Sequence, residues 1–68
     1  MTYEIIETGG LWPHRRKTVH ATADSLADAI ATARRLFDVI VLEIDALNPH
    51  CADFYTRCNR VMQIEPRA

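Results

Sequence analysis

Three stretches of the chain carry side chains able to do chemistry. The first is Trp12-Pro13-His14-Arg15-Arg16-Lys17, which sets three adjacent cations beside an indole. Cations of this kind neutralise phosphates and an indole stacks on a base, so Trp12, His14, Arg15, Arg16 and Lys17 form a candidate contact surface for nucleic acid. An exposed tryptophan equally suits a protein contact. The ordinary alternative, a solvated hairpin tip with the indole folded back over an end of the core, outweighs both. The run belongs to no recognised nucleic-acid motif, and a net charge of −1 gives the whole chain no drive toward polyanions.

The second stretch holds His50, Cys51 and Cys58, with His14 and His20 as extra ligands for a metal or redox centre. Zinc sites usually pair ligands two to four residues apart, and C-x6-C lacks that form. On a helix, Cys51 and Cys58 would lie two turns apart, about 10 Å along the axis, too far for a disulfide. Buried, inert thiols are expected, with no metal and no cofactor. The third candidate is an acid-base site drawn from Glu43, Asp45, Asp53, Tyr55 and His20, but no spacing ties any two of them to one reaction. The chain has no nucleophile elbow, no glycine-rich phosphate loop and no H-E-x-x-H pattern, so no catalytic residue is assigned and an enzyme is not expected.

Any such residues must be positioned by a scaffold organised around Thr22 to Phe37. Leu26, Ala29, Ile30, Ala33 and Phe37 recur at a helical period and draw a single apolar stripe. Thr22 and Ser25 both suit the N-cap, and Asp28 follows Ser25 at capping-box spacing. Asp24 and Asp28 near the start and Arg34 and Arg35 near the end follow the helix dipole. Asp28, Thr32 and Arg35 make the solvated face, and Asp38 ends the helix.

Strands flank this helix. Tyr3 to Thr8 is rich in β-branched and aromatic residues and stops at Gly9-Gly10, with Tyr3 and Ile5 on one face and Glu4, Ile6 and Thr8 on the other. Residues 11–17 read as an exposed hairpin loop, and Thr18 to Thr22 returns as a second strand with Val19 and Ala21 opposite His20. Val39 to Asp45 is the strongest strand in the chain, and so apolar a run suits the centre of a sheet. Ile40, Leu42 and Ile44 are expected to face the helix. Val61 to Glu65 makes the last strand, ended by Pro66.

Residues 48–59, NPHCADFYTRCN, satisfy two patterns at once. As a helix they offer Asn48 as N-cap, Pro49 in the first turn, a stripe of Cys51, Phe54, Tyr55 and Cys58, and Asn59 as a left-handed stop. As a strand they offer Phe54-Tyr55-Thr56 followed by a turn at Cys58-Asn59. Asn48, Phe54-Tyr55 and Asn59 resemble the late strand-helix-strand segment of the small-molecule N-acetyltransferase superfamily, where an Asn opens a helix that ends in a Phe/Tyr pair. That resemblance implies a helix over 49–58 and a general-acid role for Tyr55. It departs from the superfamily at Asn59, where a glycine is usual, and at Arg60, where an aromatic is. It has no accompanying pyrophosphate-binding turn, so it adds weight to the helix and none to catalysis.

Sixty-eight residues make one domain, 1–68, with a small core worth roughly 3–5 kcal/mol net. A hydrophobic share of 49% with 25% charged residues is that of a globular chain and argues against disorder. The start, Met1-Thr2-Tyr3-Glu4, lacks the basic and apolar runs of a signal peptide, and no apolar run is long enough to span a bilayer. Two cysteines are too few for a disulfide scaffold. The expectation is a small cytoplasmic α+β domain of bacterial style in two layers. An antiparallel or mixed sheet carries one main helix across one face, in the order β-β-α-β-(short α or β)-β. Its expected role is non-enzymatic: binding an unknown protein partner or itself, as a homodimer. The alternative is a weak nucleic-acid binder using Trp12–Lys17.

Overall fold

The structure, a computed structural model, describes residues 1–9 and 16–67. The elements run β1 (Tyr3–Gly9), β2 (Arg16–Ala23), α1 (Leu26–Leu36), β3 (Val39–Ile44), β4 (Ala52–Thr56) and β5 (Val61–Pro66). Among the described residues the strands form one five-stranded sheet in the order β2-β1-β5-β4-β3. Every neighbouring pair is antiparallel, and the helix lies on one face. This is the two-layer α+β domain expected, with the sheet purely antiparallel.

Helix α1 forms where the apolar stripe demands it but starts a turn later than Thr22. Ser25 is the N-cap, its Oγ accepting from the Asp28 N–H at 3.0 Å, while Thr22 and Ala23 extend β2 instead. Ala29 and Ala33 are fully buried, and Leu26, Ile30 and Phe37 pack around them. Two alanines at the contact let the helix approach the sheet closely. The helix lies chiefly over β2, β1 and β5 and leaves the β3 side of the sheet less covered.

The segment 52–56 is a strand, so the helical alternative and the helix implied by the acetyltransferase resemblance are both overturned. Its inward side chains are Ala52, Phe54 and Thr56, which alternate with exposed Asp53 and Tyr55. Pairing with β3 on one side and β5 on the other satisfies its backbone, and that tertiary gain outweighs a local helical pattern. Phe54, Ile5, Met62 and Ile64 are fully buried, each contributing about 1.5–3 kcal/mol by leaving water. The turns fit the same design. Cys51 N–H donates to Asn48 O across Pro49-His50, and Asn59 takes a left-handed φ of 62° at the end of the β4–β5 hairpin.

The apolar β3 is an edge strand, not a central one; β5 takes the centre, because β1 pairs with β5 as well as with β2. A bulge between Val39 and Val41 also shifts its faces. Val39 and Leu42 turn to the helix side and pack on the core; Ile44, opposite Ala52, shares that side as expected but stays 52% exposed beyond the helix, and Ile40, at the bulge, is 53% exposed. A second bulge, opposite Ile5 and Ile6, adds His20 to β2. That extra residue takes His20 to the helix side with Ala21, while Val19 pairs with Ile6 on the open face, the reverse of strict alternation. Residues 16 and 17, expected in the loop, belong to β2.

Candidate functional site

Of the sequence-derived contact surface, Trp12, His14 and Arg15 lie outside the described residues. Arg16 opens β2 opposite Gly9 and is exposed. Lys17, opposite Thr8, places its Nζ 3.7 Å from Glu65 Oε2 on the open face. An ion pair this exposed contributes little to stability, but it sets an acidic group beside the cation.

The metal and acid-base candidates are dispersed. Cys51 and Cys58 stand at opposite ends of β4, so they do not share one inner helix face. Cys51 is half-buried, its thiol pushed up by burial and then by Glu65, Asp45 and Asp53. Cys58 is exposed at the hairpin tip, a correction to the expectation that both thiols are buried. His50 Nδ1 lies 3.2 Å from the Tyr3 hydroxyl, while Asp45 accepts from the Leu47 N–H at 2.9 Å and so shapes the β3–β4 turn. Among the described residues no three His, Cys, Asp or Glu side chains converge, and no cavity is enclosed.

One polar cluster does converge, and no sequence motif announced it. Glu7 has the same strand parity as Tyr3 and Ile5 and therefore points to the helix side of the sheet, near the C-terminal end of α1. There its carboxylate accepts from Arg60 Nε at 2.8 Å and from Arg60 Nη2, and from His20 Nε2 at 2.9 Å. The Arg60 guanidinium lies over the Phe37 ring at 5.3 Å, and the His20 ring meets Phe37 edge-on at 5.3 Å. A planar fork is suited to bind a carboxylate at its edge and an aromatic on its face simultaneously. The Arg60 hydrogen bonds, aided by His20, hold Glu7 down to about 2. A carboxylate so acidic, with its oxygens occupied, is a poor proton acceptor near neutral pH. The cluster is a clamp that ties β1, β2, the β4–β5 hairpin and the end of α1 together.

The remaining feature is a surface. On the open face, Val41, Tyr55 and Val61 are direct register neighbours across β3, β4 and β5, all about half exposed. Beside this row lie Glu43 and Asp53, paired with each other across the strands and without a cationic partner among the described residues. Along the β3 edge Ile40 and, on the helix side opposite Ala52, Ile44 are half exposed, and Leu47 in the following turn is almost wholly exposed. Compared with known protein families, curated proteins and solved structures, the chain matches none. Among the described residues no helix is long and apolar enough to cross a membrane.

Proposed function

We propose that the protein is a non-enzymatic, cytoplasmic interaction module that associates with another protein chain or with a second copy of itself. The observation that carries this reading is the apolar surface at the β3 side of the sheet. Val41, Tyr55 and Val61 form a half-exposed row across the open face, and Ile40, Ile44 and Leu47 are exposed along the β3 edge. A contiguous apolar row of this kind on a small domain, beside an exposed apolar edge, marks a contact site far more often than scattered single residues do. An edge strand adds unpaired backbone groups that invite a further strand.

Sedimentation velocity over a wide concentration range tests the self-associating form of this reading. A mass that rises with concentration supports it. A mass fixed at one chain throughout removes it, and the reading then stands only on a foreign protein whose binding is lost when Ile44 is replaced by lysine.

A further inference from the structure

We infer that the second copy docks on β3 by antiparallel pairing about a two-fold axis through Leu42, so that two five-stranded sheets join into one. This inference rests on the interaction reading above and specifies its partner and register.

Backbone hydrogen bonding limits where such an axis can lie. The Asp45 N–H donates to Cys51 O at 2.9 Å, and Ile44 is opposite Ala52. In an antiparallel ladder the inward-bonding residues alternate, so Asp45, Glu43 and Val41 turn their backbone groups to β4. Leu42 and Ile44 turn theirs outward, to the free edge. In a sheet that continues across a two-fold, directly opposed residues share a face, and the axis passes through a residue opposed to itself. That residue either bonds outward itself, as Leu42 and Ile44 do, or lies between two that do, as Glu43 does; at Ile40 the bulge breaks the ladder.

Charge decides among the three: an axis at Glu43 sets that carboxylate against the same carboxylate of the second copy. An axis at Ile44 sets Glu43 against Asp45 of the second copy, carboxylate against carboxylate, twice across the interface. An axis at Leu42 sets Glu43 against Val41, and Ile40 against Ile44, so no like charges oppose one another. Both isoleucines are about half exposed in the single chain, because α1 lies chiefly over β2, β1 and β5. The other edge does not compete, since β2 begins with Arg16-Lys17 and bulges at His20, both devices that discourage strand addition. β3 has neither a lysine nor a proline along its length.

The experiment is a charge exchange at Val41, read by sedimentation and by backbone amide exchange of the full chain. Val41 is exposed on the open face, so neither Val41→Glu nor Val41→Lys removes core packing, and dispersed spectra verify that both variants fold. In the Leu42 register residue 41 opposes Glu43 of the second copy. Val41→Glu should therefore weaken dimerisation roughly tenfold, while Val41→Lys keeps or tightens it. In the wild type, the Leu42 amide, at the axis, should become protected as concentration rises. A dimer with protection elsewhere, or one indifferent to the sign of the charge at 41, overturns the β3 pairing and leaves the interaction reading intact. A protein that stays monomeric at every concentration overturns both the pairing and self-association.

Discussion

Glu7 and Arg60, 53 positions apart, grip each other through both arms of the guanidinium, and the same guanidinium rests on Phe37 at the end of the helix. One ion pair therefore joins the first strand to the last hairpin and sets both against α1. The carboxylate and imidazole are still about a quarter exposed, at 23% and 25%, so the pair is supported by packing yet reachable by solvent.

The pH dependence of folding follows from this pair. Glu7 titrates near 4.5 when unfolded and is held down to about 2 when folded, first by the Arg60 hydrogen bonds. A depressed carboxylate contributes stability that is complete above about 4.5 and disappears as pH falls toward about 2. Glu7→Gln should lower stability by about 1–2 kcal/mol near neutral pH, a charge-assisted pair discounted for exposure. The gap between variant and wild type should close through the same acid window. Urea titrations at stepped pH check this, and a gap that persists at pH 2 would show that the loss is one of shape, not charge.

The core prediction concerns Phe54, fully buried between the helix and the middle of the sheet. Phe54→Ala should cost about 3–5 kcal/mol, comparable to the whole margin of so small a core. The variant is expected to lose its dispersed amide spectrum at room temperature. Ile64→Val, which removes a single methylene from the adjacent strand, should remain folded and lose about 0.5–1.5 kcal/mol. If Phe54→Ala folds with native dispersion, the small core has a reserve beyond what its size suggests.

These residues also mark how far the sequence could be read. The helix was legible because its stripe and its cap agreed: Leu26, Ala29, Ile30, Ala33 and Phe37 all turn inward, and Ser25 caps. Strand β4 was not, because Cys51, Phe54, Tyr55 and Cys58 fall at helical spacing by coincidence. Its true inner residues include Ala52 and Thr56, types that periodicity does not count as core. The central place expected of β3 fails for a related reason: an apolar run signals burial in a closed fold, but here part of it lies on an edge. Bulges at Ile40 and His20 leave no mark on composition. The Glu7 clamp had one legible signal, a carboxylate on the same parity as buried Tyr3 and Ile5, which demands a partner; which residue supplies it is a matter of topology.

Ser25 tests the local part of that agreement. Its hydroxyl satisfies the Asp28 N–H, one of the amides at the helix start with no partner inside the helix. Ser25→Ala should lower stability by about 1 kcal/mol, and Ser25→Asp should restore most of it, because a short acceptor beside the positive helix end serves the same amide. Thermal melts followed by circular dichroism distinguish the two. Equal losses for both would mean that the serine matters through the size of its side chain rather than through capping.

Asn59 tests the hairpin on which Arg60 depends. Its N–H donates to Thr56 O at 3.0 Å, the Thr56 N–H donates to Arg60 O at 3.1 Å, and the Arg60 N–H donates to Thr56 Oγ1 at 3.1 Å. Closing these bonds requires the left-handed φ of 62° at Asn59, which asparagine and glycine tolerate and β-branched residues do not. Asn59→Gly should therefore stay within about 0.5 kcal/mol of the wild type, since relief of the backbone offsets the greater freedom of the unfolded chain. Asn59→Val should lose about 1–2 kcal/mol. Because a strained turn displaces Arg60, the valine variant should also lose part of the acid sensitivity carried by Glu7, whereas the glycine variant keeps it. Denaturation of both variants at neutral pH and at pH 3 separates these effects. If glycine and valine cost the same, the asparagine side chain, and not the backbone angle, holds the turn.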